Sequence, residues 1–157
     1  MAQIERLDLR KAETAEELWL LQHAAYRVEA ELIGVADLPP LKDTIATLQA
    51  AEEIFWGFRD EEGELVGVLA TEHPKADEAV ISRMMVHPSQ FRRGIAGRLL
   101  GFVLEAAPPS TAWEVTAEER NLPAIALYQR FGFREAGRFR PRADIVMIRM
   151  IRAATKT

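Results

Sequence analysis

The sequence of 157 residues contains no cysteine, and this absence excludes several kinds of chemistry. Disulfide bonds, thiolate metal sites and a cysteine nucleophile all require a thiol that the chain does not have. Histidine is also scarce, with three residues in the chain. His23, His73 and His87 lack the spacing of a metal-ligand set, either with each other or with paired acids, so we expect no metal site.

Long apolar runs are absent as well. A membrane-spanning helix needs about 18 consecutive apolar residues, and no segment of the chain approaches that length. We therefore expect no membrane partner. The N-terminal segment is charged from Glu5 onward and lacks the apolar core of a signal peptide, which makes the cytoplasm the expected location. A chain of 157 residues with 48% hydrophobic and 28% charged residues is typical of one globular domain, here residues 1–157.

The charges of the chain are unevenly distributed along it. Residues 1–80 hold 18 acidic and 7 basic residues, a net charge of −11, whereas residues 81–157 hold 6 and 13, a net charge of +7. Such asymmetry is typical of a protein with charged partners. The total is −4, and the basic residues are not interleaved with aromatic ones. This pattern differs from that of a general nucleic-acid binder, so we expect no nucleic-acid partner.

Hydrophobic periodicity and turn residues predict alternating strands and helices in the order β-α-α-β-β-β-α-β-α-β-β. Strands are expected over 4–10, 54–59, 64–71, 79–86, 112–116, 133–138 and 145–151, and helices over 14–32, 44–51, 94–107 and 122–130. Thr14 and Glu17 have the spacing of a capping box at the start of the first helix, and Gly34 is expected to end it. This order predicts an α/β fold.

The segment 86–100 has the composition of an anion-binding turn. A predicted strand leads into a turn rich in arginine and glycine, and that turn begins a predicted helix. The first turn of a helix presents unpaired backbone N–H groups and the positive end of the helix dipole. Gly94, Ala96 and Gly97 have little or no side chain, so an anion can approach this backbone closely. Three arginines add positive charge: Arg92, Arg93 and Arg98. The segment therefore predicts a phosphate or pyrophosphate site.

This segment resembles the acyl-CoA-binding motif of the Gcn5-related N-acetyltransferase (GNAT) superfamily, whose pattern is Gln/Arg-x-x-Gly-x-Gly/Ala. Gly94 and Ala96 match its last two fixed positions, whereas Phe91 stands where the family has Gln or Arg. A second match follows at the family's spacing, with the pattern Asn-x-x-Ala-x-x-Leu-Tyr-x-x-x-Gly-Phe. Its fixed positions are Asn121, Ala124, Leu127, Tyr128, Gly132 and Phe133. The resemblance extends over about residues 4–151.

The resemblance implies a single-domain GNAT fold. Its central sheet would be mixed and mostly antiparallel, with six to seven strands, about four flanking helices and a splay at the acyl-CoA site. The implied activity is that of an N-acetyltransferase, which moves an acetyl group from its cosubstrate acetyl-CoA directly to a primary amine in a ternary complex. The amine would belong to a small molecule or a peptide. The residues that the resemblance places at coenzyme A are Met84, Met85, Val86, Phe91, Arg92, Arg93, Gly94, Ile95, Ala96, Gly97, Arg98, Asn121 and Tyr128.

The resemblance also assigns catalytic roles. Tyr128 would protonate the departing thiolate, and backbone N–H groups within 84–86 would stabilise the thioester oxygen. Ser82 occupies the position at which many members carry a glutamate base; a serine could only order a water that relays the proton. Three further groups near the ends of neighbouring strands are candidates for the base, and the choice stays open: Glu72, His73 and Glu78.

The acceptor site of this family is usually lined by the first two helices, the hairpin and the last two strands. Tyr26, Glu29 and Trp56 are therefore the expected acceptor-binding residues, and the acidic N-terminal half favours a cationic amine. Three arginines near the last strands favour instead an acceptor that carries a carboxylate: Arg138, Arg140 and Arg142.

One other function and the oligomeric state remain open from the sequence. Because position 82 holds serine and not glutamate, a non-catalytic acyl-CoA-binding module remains the alternative. Dimers are frequent in the family, and the exposed edges of the last predicted strands leave room for a homodimer.

Overall fold

The computed structural model describes residues 2–155. Within this range seven strands form one sheet in the order β1-β2-β3-β4-β5-β7-β6, with four α-helices packed against it. The strands are β1 Gln3–Arg6, β2 Ile54–Arg59, β3 Leu65–Lys75, β4 Glu78–Val86, β5 Ala112–Glu118, β6 Arg134–Arg142 and β7 Ile145–Arg152. The helices are α1 Ala12–Ile33, α2 Ile45–Ala50, α3 Ile95–Ala106 and α4 Leu122–Arg130. Every neighbouring pair of strands is antiparallel except β4 and β5, and the expected fold is confirmed.

Two short 3-10 turns, Pro39–Lys42 and Pro88–Gln90, lie in the connections after α1 and after β4. No helix in the described residues is long and apolar enough to cross a membrane.

The start of α1 differs from the sequence prediction. The helix begins at Ala12 after Lys11, whose side chain makes no capping hydrogen bond. Glu17 is not part of a capping box, because its carboxylate accepts hydrogen bonds from Arg59 on β2, the shorter at 2.8 Å. The predicted end is confirmed: Gly34 has φ 77°, a left-handed conformation that glycine adopts without steric cost.

The core is divided between the two faces of the sheet. Buried side chains of α3 and α4 pack on one face, and those of α1 and α2 pack on the other. On β3, the neighbouring residues Val68 and Leu69 belong to opposite faces and are both fully buried, as the alternation of a strand between two layers requires. The sheet is therefore covered on both sides.

Gly67 on β3 allows the start of α3 to lie close to the sheet. A Cβ atom at this position would come within 2.7 Å of Ile95 Cγ2 and 3.1 Å of Leu99 Cδ1, distances that real Cβ atoms do not tolerate without movement of the neighbour. Because Ile95 is the first residue of α3, this close packing fixes the position of the helix N-terminus relative to β4.

Candidate active site

A gap opens in the sheet between β4 and β5. Their parallel pairing extends from Glu78 opposite Ala112 to Ile81 opposite Val115 and ends there. Beyond this point β4 continues to Val86 against β3, while β5 continues to Glu118 against β7. The side of β4 that faces β5 is therefore free of sheet pairing from Ser82 to Val86, and the splay that the resemblance implied is present.

A β-bulge at Ser82 coincides with the start of this gap. In the pairing of β3 with β4, Ala70 lies opposite Arg83 and Thr71 opposite Ile81, so Ser82 is the extra residue. A bulge disturbs the alternation of side chains along a strand and redirects one of them. Here the neighbouring side chains of Ser82 and Arg83 both reach the carboxylate of Glu53.

The first cavity, of about 620 Å³, lies at the wide end of the gap. Its lining includes three residues of β4, the turn before α3, the first turn of α3, and parts of α1 and α4. Many of the predicted coenzyme A residues lie here: Met84, Met85, Val86, Phe91, Arg92, Gly94, Ile95, Ala96, Gly97 and Asn121.

The turn at the first cavity presents unpaired backbone donors. The first helical hydrogen bond of α3 runs from the N–H of Arg98 to the carbonyl of Gly94, so the N–H groups of residues 95–97 precede the helical ladder. Gly94 has φ 74°, and a Cβ atom built on it would meet no atom within 4 Å. Helix N-termini with this open approach bind phosphate groups readily, so the turn fits a pyrophosphate.

Arg92 has a backbone conformation that is rare for a residue with a side chain. Its φ is 65°, in the left-handed region, which costs about 1–2 kcal/mol for a non-glycine residue. Strain of this kind is concentrated at functional sites. Arg92 lines the first cavity together with residues 95–97, so the strained turn belongs to the wall that also holds the free N–H groups.

The second cavity, of about 390 Å³, continues along the gap on the side of β5 and the β6–β7 hairpin. Its lining includes the predicted catalytic residues Ser82 and Tyr128, and also the connection after α1 at Leu38 and Pro40. Five residues line both cavities and define what we call the junction: Tyr26, Glu29, Met84, Asn121 and Ala124.

Glu29 and Asn121 are directly bonded at the junction. Asn121 caps α4, accepting from the N–H of Ala124 at 3.4 Å, and its amide donates to Glu29 Oε1 at 3.0 Å. Burial raises the pKa of Glu29, and the negative charge of Glu118 raises it further, against a smaller effect of the Asn121 hydrogen bond. Glu29 therefore lies between the two cavities, and its carboxylate takes up a proton more readily than an exposed glutamate does.

The two tyrosines of the site stay protonated at neutral pH. Burial raises the pKa of Tyr128, and Tyr26 and Glu29 add to the shift. Burial likewise raises the pKa of Tyr26, with Glu29 contributing and a hydrogen bond with the Met84 backbone acting against it. Each hydroxyl can consequently serve as a proton donor.

Ser82 is held in a network of charged side chains. Its hydroxyl donates to Glu53 Oε2 at 2.5 Å, and Arg83 contacts both oxygens of the same carboxylate, with Nη2 at 2.8 Å from Oε1. Arg83 also donates to Asp43 Oδ2 and to Gln22 Oε1, each at 2.8 Å. The position of the usual family glutamate thus holds a hydroxyl that is already engaged with a carboxylate from the start of β2.

Glu118 at the end of β5 is a second carboxylate of the second cavity. It accepts from the backbone and side chain of Arg120 and from the N–H of Val146, all between 2.8 and 3.0 Å. The Arg120 hydrogen bonds lower the pKa of Glu118 to about 2, so it stays ionised. Sequence reasoning missed both Glu118 and Glu53. Glu118 could have been found from the sequence because it lies three residues before Asn121, a fixed position of the second motif. Glu53 has no such local signal, since it is 29 residues away from Ser82.

Other predicted residues lie outside both cavities. The ring of Trp56 packs edge-on against Phe102 of α3, so the structure does not bring it to the site. The guanidinium of Arg98 stacks 4.8 Å from the ring centre of Phe58. Several further candidates line neither cavity: Arg93, Glu72, His73, Glu78, Arg138, Arg140 and Arg142.

The arginines that favoured a carboxylate acceptor have partners within the protein instead. Arg138 bonds Glu135, Arg140 bonds the carbonyl of Ala143, and Arg142 bonds Asp144 and Asp37. All but the last of these contacts lie within the β6–β7 hairpin, and the contact with Asp37 joins that hairpin to the connection after α1.

Comparison with known proteins identifies the class. Residues 6–133 match the acetyltransferase (GNAT) family. Because this match covers most of the chain, the chain belongs to the GNAT acetyltransferase family, whose general reaction is acetyl-CoA-dependent N-acetylation.

One curated relative and two solved structures are similar to this chain. The UPF0157 protein YqkA of Bacillus subtilis is 38% identical over 133 residues, which is 85% of this chain, but the chain spans only 38% of the length of that relative. The ribosomal-protein-S18-alanine N-acetyltransferase from Escherichia coli superposes with a TM-score of 0.79 at 20% identity, over 100% of this chain and 96% of that one. PaiA N-acetyltransferase from Thermoplasma acidophilum, in complex with coenzyme A, has a TM-score of 0.73 at 12% identity, over 95% and 98%. At these identities the two structures show the shared fold.

Proposed function

We propose that this chain transfers an acetyl group from acetyl-CoA to a primary amine by direct attack within a ternary complex. The observation that carries the proposal is the pair of cavities that meet at the gap between β4 and β5. One cavity ends on the free N–H groups of α3, and the other contains the carboxylates and hydroxyls that acyl transfer needs. Family membership supports the same reaction.

In this proposal the first cavity holds the cosubstrate. Its pyrophosphate would lie against the N–H groups of residues 95–97 and the Arg92 side chain. The unpaired edge of β4 leaves backbone groups near Val86 facing the gap, where an N–H group can donate to the thioester oxygen as negative charge develops. Acetyl-CoA supplies the activated acyl group; the chain supplies position, hydrogen bonds and proton transfer.

Tyr128 would protonate the sulfur as it leaves. Its side chain is 3% exposed and lines the second cavity, and its raised pKa keeps the proton on the hydroxyl until the thiolate forms. Ser82 is engaged with Glu53, so a role in proton removal would require the pair rather than the hydroxyl alone.

The test compares the native chain with Tyr128→Phe. With acetyl-CoA and a panel of primary amines, we expect the native chain to release coenzyme A. The substitution should lower kcat by about 100-fold, while calorimetry shows the coenzyme A affinity within about twofold. Circular dichroism of both proteins checks that the fold is retained. An unchanged kcat would remove Tyr128 from the mechanism.

The alternative, a non-catalytic acyl-CoA-binding module, is favoured by one observation: the usual base position carries the engaged Ser82. It predicts coenzyme A binding by calorimetry together with no acetylated product from any amine. Failure of coenzyme A to bind would contradict both functions.

A further inference from the structure

The charged side chains that line the second cavity differ in how they are paired. Glu118 is held by Arg120 and by two backbone N–H groups. Arg83 is already shared between the carboxylates of Glu53 and Asp43. Within the described residues, Glu29 is the charged side chain of this lining whose hydrogen-bond partner is a neutral amide, that of Asn121.

The rest of that lining is mostly apolar. It includes Ile33, Leu38, Pro40, Phe139, Ile145 and Met147. An apolar wall gives no partner to a second charge, and burying an unpaired charge is strongly unfavourable. A ligand of this cavity therefore has one place for a positive charge and otherwise apolar contacts.

We propose that Glu29 binds the ammonium group of the acceptor and takes its proton, and that the acceptor is a primary amine with a single positive charge and an apolar body. This inference rests on the proposed acetyl transfer. It names the class of amine and the group that prepares it for attack.

The position of Glu29 fits this role. It lines both cavities, so an amine bound to it lies where the contents of the two cavities meet. Asn121 fixes one carboxylate oxygen, Oε1, by a hydrogen bond of 3.0 Å. The second oxygen has no hydrogen-bond partner among residues 2–155, which leaves it for the ammonium.

The charged and titratable groups around Glu29 come from several elements. They are Tyr26 on its own helix, Arg83 on β4, Glu118 on β5, Tyr128 and Arg130 on α4, and Arg92 in the turn before α3. Burial and the charge of Glu118 raise the pKa of Glu29. Two carboxylates in one site whose pKa values are moved apart, one upward and one downward, are typical of a division between a proton carrier and a fixed charge.

The proton balance of the reaction then closes. Glu29 takes one proton from the ammonium, and the neutral nitrogen forms a bond to the thioester carbon. The carbon–sulfur bond breaks, and the Tyr128 hydroxyl protonates the sulfur. The nitrogen loses its second proton as the amide forms, and this proton restores Tyr128 through water. Glu29 releases its proton to solvent, so one amide, one thiol and one proton leave for each ammonium consumed.

The acceptor class is tested with three amines of equal chain length: hexylamine, 1,6-diaminohexane and 6-aminohexanoate. They differ only at the distal end, which is a methyl group, a second ammonium or a carboxylate. We expect kcat/KM for hexylamine to exceed that for each of the others by about tenfold or more. Equal or greater kcat/KM for either charged-end amine would overturn the proposed acceptor class.

The role of Glu29 is tested with Glu29→Gln, which keeps an oxygen for the Asn121 amide. An alkylamine has a pKa of about 10.4, so at neutral pH only a small fraction of it is uncharged, and without a base only that fraction can react. The native chain should show a kcat/KM that is nearly constant from about pH 6.5 to 9. In the variant it should rise about tenfold for each pH unit and be at least about 100-fold lower at neutral pH.

Glu31→Gln is the matched control, because Glu31 is an exposed residue of the same helix that lines neither cavity. It should keep the native pH profile. A parallel fall of kcat/KM at all pH values in Glu29→Gln would show a merely structural role and overturn the proton transfer. If the native chain acetylates neither these three amines nor any amine of the wider panel, the proposed acetyl transfer itself is wrong. Coenzyme A binding by calorimetry then distinguishes an inactive but folded protein from one that has not folded.

Discussion

Replacing Arg83 with methionine tests the packing of the site at its centre. The guanidinium is paired with Glu53 and Asp43, and the three side chains are only 14%, 11% and 20% exposed. Methionine keeps much of the apolar volume but leaves two partly buried carboxylates without a cation. Gln22, which is fully buried, also loses the donor to its side-chain oxygen. The free energy of unfolding should therefore fall by much more than the contribution of a surface ion pair.

The magnitude follows from the burial of the pair. Removing one partner of a buried ion pair costs about 3–5 kcal/mol, because the remaining charge is uncompensated. Arg83 also lies 5.5 Å from the ring centre of Phe55, a contact that contributes about 0.5–1 kcal/mol. For a chain of this size, 1 kcal/mol corresponds to about 2–4 °C, so the combined loss of about 3.5–6 kcal/mol should lower Tm by about 7–24 °C.

Arg149→Met provides the matched control for this assay. Arg149 lies on β7 of the same sheet and pairs with Glu114, but the two side chains are 47% and 35% exposed. Its removal should cost less than about 1 kcal/mol. Thermal unfolding followed by circular dichroism at neutral pH, with urea unfolding for the free energy, measures both variants. Equal losses for Arg83→Met and Arg149→Met would refute the reasoning, since burial would then make no difference.

Two further substitutions test other parts of the site. Glu118 has a folded-state pKa of about 2 against an ordinary 4.5, so its ionised form stabilises the fold above about pH 4.5, and this contribution is lost as the pH falls toward 2. Urea unfolding of Glu118→Gln should therefore show lower stability than the native chain at neutral pH and a smaller loss of stability between pH 4.5 and 2. A native-like pH dependence in this variant would contradict the assignment. Gly94→Ala and Gly63→Ala both place a Cβ at positive φ in open space, so each should lose about 1 kcal/mol. Only Gly94→Ala should weaken coenzyme A binding by calorimetry, by about tenfold or more, and equal affinities in the two variants would exclude the turn as the pyrophosphate site.

Local sequence signals predicted the elements of the fold closely. The helix over 122–130 is found at those residues, with Asn121 as its cap. The hairpin, the strand before the turn and the helix after it also appear within a few residues of their predicted bounds. These elements have strong local signals: turn residues between apolar runs, a proline in the first turn of α4 and a clear apolar stripe on α3. The start of α1 was mispredicted because Glu17 forms a tertiary ion pair with Arg59 that no local pattern encodes.

The candidate site was only partly predictable, for the same reason. The turn before α3 carries its chemistry in consecutive residues, so the motif locates the first cavity. The second cavity is assembled from residues far apart in the chain: Glu29 and Asn121 are 92 positions apart, and Arg83 and Asp43 are 40 apart. Trp56 was expected at the acceptor, but its side chain packs on α3, since a strand residue can face either layer of a sheet that is covered on both sides.

The uneven charge of the chain acquires a structural meaning at the junction. The acidic N-terminal half contributes Glu29 from α1, and the basic C-terminal half contributes Arg92 from the turn before α3; both line the first cavity. The proposed pyrophosphate site and the carboxylate proposed to bind the ammonium thus come from halves of opposite net charge, which suits a polyanionic cosubstrate and a cationic amine. Most other acids of the N-terminal half are exposed or already paired, as Glu17 and Asp43 are, so the net charge of a half could not by itself have led to the proposal for Glu29. What distinguishes Glu29 is partial burial beside a neutral partner, and this property exists only once α1, β5 and α4 have been brought together.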